Sequence, residues 1–362
     1  MNVETRDVGD NLGKKESGRI PTLDGLRAVA ILVVMLSHAN HGDERIAQLG
    51  HMGVLIFFAL SGYLITTRLL AEYQSTGRVS LRDFYLRRAF RILPPAVTYL
   101  AILWLLTLTG IVVCSASAIR AALFFYVNYI DVGDLGWRAG HFWSLSVEEH
   151  FYALWPLLLL GFGVVRGART AIAAAAVILV WRPIDHHFHI LAQVFHNPHL
   201  IQDLYGTDVI ADALLWGCAL AFFKLRSGAT VSTVIALVSV TLLALISAGV
   251  RLPFPPHNAE YLFAETHFLP AMLLAAIVSC PTAPIGRFLE TAPMRFIGHL
   301  SYSLYIWQQL FLGGPGPKLS LGLGLLGAFI CAYASYRWIE RPAIAAGRRF
   351  IQRRKVAAIA AS

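Results

Sequence analysis

The chain has 362 residues, of which 57% are hydrophobic and 14% charged, with a formal net charge of +9. So apolar a composition excludes a water-soluble multidomain protein and indicates a polytopic membrane protein, whose charge excess speaks of topology before nucleic acid. Cys114, Cys218, Cys280 and Cys331 are widely spaced, which argues against a disulfide framework, and no metal site is expected.

The start is polar through Arg19, too far for a cleavable signal, so the apolar run from Ile20 reads as a retained first span. Apolar stretches at 22–39, 52–71, 96–113, 143–165, 168–181, 209–223, 231–249, 262–280, 297–313 and 319–338 give ten candidate spans, the fifth and sixth short. With the N-terminus inside, the basic groups at 78–91, 166–169, 224–226, 287–295 and 337–355 fall on the cytoplasmic side. Arg45, Arg120, Arg138, Arg182, Arg251 and Lys318 fall outside. The positive-inside rule therefore predicts an all-α, polytopic transmembrane helical bundle of about ten spans with both termini cytoplasmic. It divides into a cytoplasmic segment 1–19, a membrane domain 20–342 and a basic cytoplasmic tail 343–362. The tail, Arg348 to Lys355, reads as an anchor to anionic lipid rather than a nucleic-acid site. Two long outer connections, 113–142 and 182–208, suit a mouth, the second carrying Asp185, His186, His187, His189, His196 and His199.

Polar residues inside apolar spans mark function. In the first span Arg27 and His38 are eleven positions apart and return to one helix face, about 16 Å apart along the axis. Asp24 is placed to pair with Arg27. His38 is the better proton acceptor because imidazole titrates near neutrality. Arg87, Arg88 and Arg91 stand at the inner end of the third span, with Arg87 and Arg91 four apart and placed to converge on a phosphate; Pro94 and Pro95 either start or bend that span. In HFWSLSVEEHFYALWP, Glu148 and Glu149 point about 100° apart, Ser144 lies one turn before Glu148, and either glutamate is placed to orient the His38 imidazole. Adjacency on one helix does not suit a glycosidase pair. Ser61 in FFALSGYLI lacks the preceding glycine of a hydrolase elbow, which favours a hydrogen-bonding role. Asp208 and Asp212 are four apart at an outer helix start and suit a polar acceptor or a cation. Tyr302, Tyr305, Trp307, Gln308 and Gln309 suggest an aromatic and amide-lined section of a cavity.

An ordered series carries a family likeness: LDGLRAVAILVVMLSH, FFALSGYLIT, YLRRAFRILP, FWSLSVEEHFYALWP, TDVIADALLWG, IGHLSYSLYIWQ and YRWIERP. Through these segments, from Ile20 to Pro342, the chain resembles the membrane-bound acyltransferase-3 family, integral-membrane O-acyltransferases. The resemblance implies that Arg27 and His38 are central, that Arg87, Arg88 and Arg91 face acyl-coenzyme A, and that Ser61, Ser144, Glu148 and Glu149 belong to family motifs. Ile210 and Gln308 stand where the family often has arginine and histidine. No fused hydrolase domain is expected after Pro342. The implied reaction moves a short acyl group, acetyl in the first instance, from acetyl-coenzyme A to a hydroxyl of a carbohydrate, surface polysaccharide or glycolipid in a bacterial inner membrane. It needs no permanently bound cofactor and no nucleic acid. Direct transfer and an acyl-histidine at His38 both remain open, and a transporter or flippase is the alternative class.

Overall fold

The computed structural model describes residues 20–40, 44–130, 136–194, 205–248, 263–314 and 319–360. The predicted segment 1–19, His196, His199, Arg251, Lys318 and the side chains of Arg45 and His186 lie outside the described residues. Every regular element among the described residues is helical. The principal ones are α1 (Pro21–Ala39), α2 (Glu44–Thr76), α3 (Leu81–Leu108), α4 (Ala116–Leu123), α5 (Phe142–Gly161), α6 (Gly167–Phe188) and α7 (Asp212–Leu220). They continue with α8 (Ala229–Ser247), α9 (Phe263–Ser279), α10 (Pro284–Leu289), α11 (Ala292–Phe311), α12 (Leu321–Ser335) and α13 (Arg341–Ala360). Local chemistry sets several starts. Pro21 opens α1, where a missing N–H costs nothing, and the hydroxyls of Ser80, Ser115 and Ser320 accept from Asp83, Ala118 and Leu323 at the starts of α3, α4 and α12.

Each of the ten predicted segments carries helix, although their bounds and reach differ. Among the described residues, five stretches are long and apolar enough to cross a membrane by length and composition: Pro21–Ala39, Gln48–Thr76, Leu81–Leu108, Val164–Asp185 and Ala229–Ser247. The sixth predicted span is instead the turn Thr207–Ile210 followed by the nine-residue α7. At about 1.5 Å per residue α7 covers about 14 Å, far short of a hydrocarbon core of about 30 Å. Helix α3 runs through Pro94 and Pro95, so the arginines before them share its axis with the apolar part. Helix α6 likewise continues past the predicted end of the fifth span, carrying Arg182 and Asp185.

Helix α1 packs between α2 and α11, and α2 packs on α7. The last contact depends on two glycines. A Cβ at Gly62 would fall 1.9 Å from the Leu214 carbonyl oxygen, and one at Gly217 would fall 2.1 Å from that of Ala59. Such small-residue contacts let two backbones meet where no water drives association. Outward faces are apolar, with Val231, Val234 and Leu237 on α8 and Leu323, Leu326 and Ile330 on α12 exposed, as a bundle set in lipid requires. The basic tail is a helix over its described length and lies along α3. Ile351 is buried, Phe350 meets Phe90, and Arg354 and Lys355 reach Asp83 at 3.6 and 3.2 Å.

Candidate functional site

On α2, Val54, Phe58, Ser61, Ile65 and Arg68 recur at three- and four-residue intervals and therefore share one face. All of them line one cavity. Its polar lining is completed by Arg27 of α1, Arg88 and Arg91 of α3, Ser144, Glu148 and Tyr152 of α5, and Ser301, Tyr302 and Tyr305 of α11. Ser144, Glu148 and Tyr152 follow one another at single helical turns. The lining thus sets four guanidinium groups against the one carboxylate of Glu148.

The groups are wired together. Ser61 Oγ donates to Glu148 Oε1 at 2.9 Å and the Tyr152 hydroxyl donates to Glu148 Oε2 at 2.7 Å. The Arg88 guanidinium lies 3.9 Å from the Tyr152 ring centre, a cation–π contact. Arg27 pairs with Asp24 at 3.2 Å, and the other Asp24 oxygen meets His299 Nε2 at 3.2 Å. The Tyr302 hydroxyl donates to the Ile92 carbonyl at 2.7 Å.

A second centre surrounds His38 at the far end of α1. Its Nδ1 lies 2.8 Å from Gln308 Oε1 and its Nε2 lies 3.1 Å from Gln309 Nε2. Trp137 meets the imidazole edge to face at 5.4 Å between ring centres. The backbone carbonyl of His38 lies against Gly313, whose φ of +65° and close approach leave no room for a Cβ. His38 is not among the residues lining the cavity. A layer of side chains joins the two centres. Ser144 Oγ lies 2.6 Å from the Tyr305 hydroxyl, which donates to the His141 carbonyl at 2.9 Å, and the His141 ring lies 2.7 Å from Gln309 Oε1.

Several expectations need correction. Neither glutamate orients His38: Glu148 is held by Ser61 and Tyr152, while Glu149 lies off the cavity with a buried oxygen that has no hydrogen-bond partner. Amides take the orienting place, because α11 rather than α5 faces that end of α1. Arg87 and Arg91 do not converge. Arg88 and Arg91, three apart, face the cavity, whereas Arg87 turns to Glu72 at 3.1 Å. Asp208 and Asp212 are both engaged with neighbouring helices and do not line the cavity. Asp208 accepts from Tyr129 at 3.2 Å and Trp181 at 2.8 Å, and burial raises its carboxyl above the usual range. Asp212 is buried against Arg182 and His267, each at 2.7 Å. Arg182, predicted outside, also donates to the Val209 carbonyl at 2.7 Å, bringing a guanidinium beside Ile210.

Sequence reasoning left Arg68 and His141 without a role. The signal for Arg68 was its seven-residue spacing from Ser61, two turns along the same face. His141 carried no such signal, since its partners come from α11.

The model of the acyltransferase-3 family, described as an acyltransferase domain, matches residues 20–337. The chain is 30% identical over 365 residues to YrhL of Bacillus subtilis, provisionally named a peptidoglycan O-acetyltransferase, covering 92% of this chain and 56% of that protein. It is 29% identical over 359 residues to the peptidoglycan O-acetyltransferase OatA of Listeria monocytogenes, covering 89% of this chain and 55% of OatA. An O-acetyltransferase of Staphylococcus aureus strain COL, also provisionally named, is 28% identical over 355 residues, covering 91% and 58%. The chain therefore spans a little over half the length of these relatives. No solved structure matches it.

Proposed function

The chain belongs to the acyltransferase-3 family, and from that premise we propose that it transfers a short acyl group, acetyl first, from acyl-coenzyme A to a hydroxyl of a carbohydrate in a bacterial cytoplasmic membrane. The observation that carries this reading is the cavity in which Arg27, Arg68, Arg88 and Arg91 face a single carboxylate. Arginine forks suit phosphate oxygens, and a cavity with this charge favours an anion such as the donor's phosphate end. The relatives' names support a glycan acceptor, with peptidoglycan the first to try.

In this reading the donor's phosphates stay with the arginines while its long arm carries the thioester past Ser144 and Tyr305 toward His38. The acceptor oxygen bonds to the acyl carbon, the C–S bond breaks with its electron pair leaving on sulfur, and His38 takes the hydroxyl proton. Arg27 lies about 16 Å along the helix from His38, so it serves the donor's position rather than the reacting carbonyl. The test incubates purified protein with labelled acetyl-coenzyme A and glycan fragments. Transfer by wild type, lost in His38→Ala with donor binding retained and lost in Arg88→Ala/Arg91→Ala together with donor binding, supports the reading. Full turnover by H38A removes His38 from it, and a wild-type chain that neither binds coenzyme A nor acylates a glycan overturns it.

A further inference from the structure

Two consecutive side chains of α11 grip both nitrogens of one imidazole, and their surroundings decide which nitrogen carries the proton. Gln309 Oε1 lies 3.2 Å from the backbone N–H of His141 and 2.7 Å from its Nδ1. A backbone N–H only donates, so the Gln309 oxygen that meets it faces His141 and the NH2 faces His38 Nε2; His141, kept neutral by burial, then carries its proton on Nδ1, and its Nε2, 3.1 Å from the Ile306 carbonyl, does not donate there. Nε2 therefore accepts. A neutral imidazole has one N–H, so the proton sits on Nδ1, and Gln308 turns its oxygen there to accept it at 2.8 Å.

We infer that His38 is held as the Nδ1–H tautomer with Nε2 as its proton-accepting atom, and that Gln308 and Gln309 are the positioning residues that fix it. This rests on the acyl-transfer reading for its purpose, though not for its geometry. With Gln309 so placed, the opposite orientation of Gln308 fails on donors alone: both amides would then donate to a neutral ring that offers only one lone pair. Gln308 and Gln309 are 0% and 4% exposed, so water does not relax the constraint. The groups around them are consistent with a fixed frame. Arg138 donates to the Gln309 and Leu310 carbonyls and Trp137 to the Leu312 carbonyl, locking the end of α11. Among the described residues, the titratable groups that face this frame are His141 and Arg138 from the segment before α5, Tyr99 of α3, whose ring meets that of His141 and whose hydroxyl donates to the Arg138 carbonyl, and Tyr305 of α11, whose hydroxyl donates to the His141 carbonyl.

The grip has a consequence for the reaction. The Gln309 amide occupies the lone pair that must take a hydroxyl proton, so an acceptor hydroxyl enters by displacing it. Once Nε2 is protonated, the same NH2 faces an N–H and that hydrogen bond is lost, while the Gln309 oxygen stays on His141. The buried Gln308 Nε2 has no hydrogen-bond partner, leaving a donor beside His38 for an incoming oxygen.

Two isosteric substitutions in the full chain separate this arrangement from a packing role. In Gln308→Glu the carboxylate still accepts from Nδ1–H and stabilises the imidazolium. Turnover persists within about tenfold of wild type, and the acidic limb of the kcat/KM profile moves up by about one pH unit. In Gln309→Glu the carboxylate draws the proton onto Nε2, and turnover at neutral pH falls by about 10²- to 10⁴-fold, the scale of a wrong histidine tautomer, with donor binding unchanged. Nitrogen-15 spectra of histidine-labelled protein, with the His38 signals identified by their loss in His38→Gln, give a protonated Nδ1 and an unprotonated Nε2 in wild type. The reverse pattern of the two variants, equal losses in both, or a protonated Nε2 in the neutral ring overturns the inference. A wild-type chain that transfers no acyl group sinks the functional reading and leaves the spectrum to decide the tautomer.

Discussion

Ser61 and Glu148 are 87 positions apart in the chain and 2.9 Å apart in the fold, one donating its hydroxyl proton to the other across the cavity between α2 and α5. The carboxylate this fixes is, among the described residues, the only negative charge lining a space with four arginines. It opposes any anion that enters. Glu148→Gln removes the charge and keeps one acceptor oxygen for one of the two hydroxyls of Ser61 and Tyr152, while its NH2 donates to the other, which turns to accept. Coenzyme A then binds about three- to tenfold more tightly, a modest Coulomb term at cavity distances, measured by equilibrium titration at fixed salt. Weaker binding would mean that Glu148 aids the donor.

The two faces of α3 give opposite expectations for adjacent arginines. Arg88→Ala or Arg91→Ala removes a cavity-lining guanidinium and weakens coenzyme A binding by about 10- to 100-fold, the range for a charge-assisted contact. Arg87→Ala changes it by about twofold or less, because Arg87 is half-exposed and engaged with Glu72. Titrations of the three variants side by side decide the matter, and an Arg87 effect as large as the others would move the donor site to the surface.

Gly62 and Gly217 fix the approach of α2 and α7. Gly62→Val places branched atoms where the Leu214 backbone already sits, and destabilises the chain by at least the 1–3 kcal/mol or so of ordinary overpacking. Thermal unfolding in detergent measures this. An unchanged midpoint would show that the helices separate without cost.

Asp212 is buried beside Arg182 and His267. Asp212→Ala leaves an uncompensated guanidinium in the interior and costs about 3–5 kcal/mol, read as a lowered unfolding midpoint. Coenzyme A affinity of the folded fraction stays at the wild-type value because the pair lies off the cavity. A large change in donor affinity with normal stability would return Asp212 to the functional surface.

Much of the site was legible because its signals are local. Arg27 and His38 share a helix face by spacing alone, and Tyr302, Tyr305, Gln308 and Gln309 do lie along a cavity and its neighbouring centre. Arg88 and Arg91 were picked with Arg87, since sequence does not tell which side of a helix meets a partner until that partner is placed. The glutamates were assigned to His38 on chemistry, which identified groups able to orient an imidazole but not the helix that faces it.

The sequence by itself determined an all-helical chain rich in apolar segments and the family to which its ordered motifs belong, because helix formation and burial in lipid depend on composition and short-range spacing. Only the tertiary structure decided that Arg68 joins the cavity, that Arg87 leaves it, that Asp212 is sealed in an ion pair and that two amides hold His38. Each of those outcomes depends on the rotation of one helix against another. That rotation is set by close contacts such as Gly62 with Leu214, between residues far apart in the chain, which no local pattern encodes.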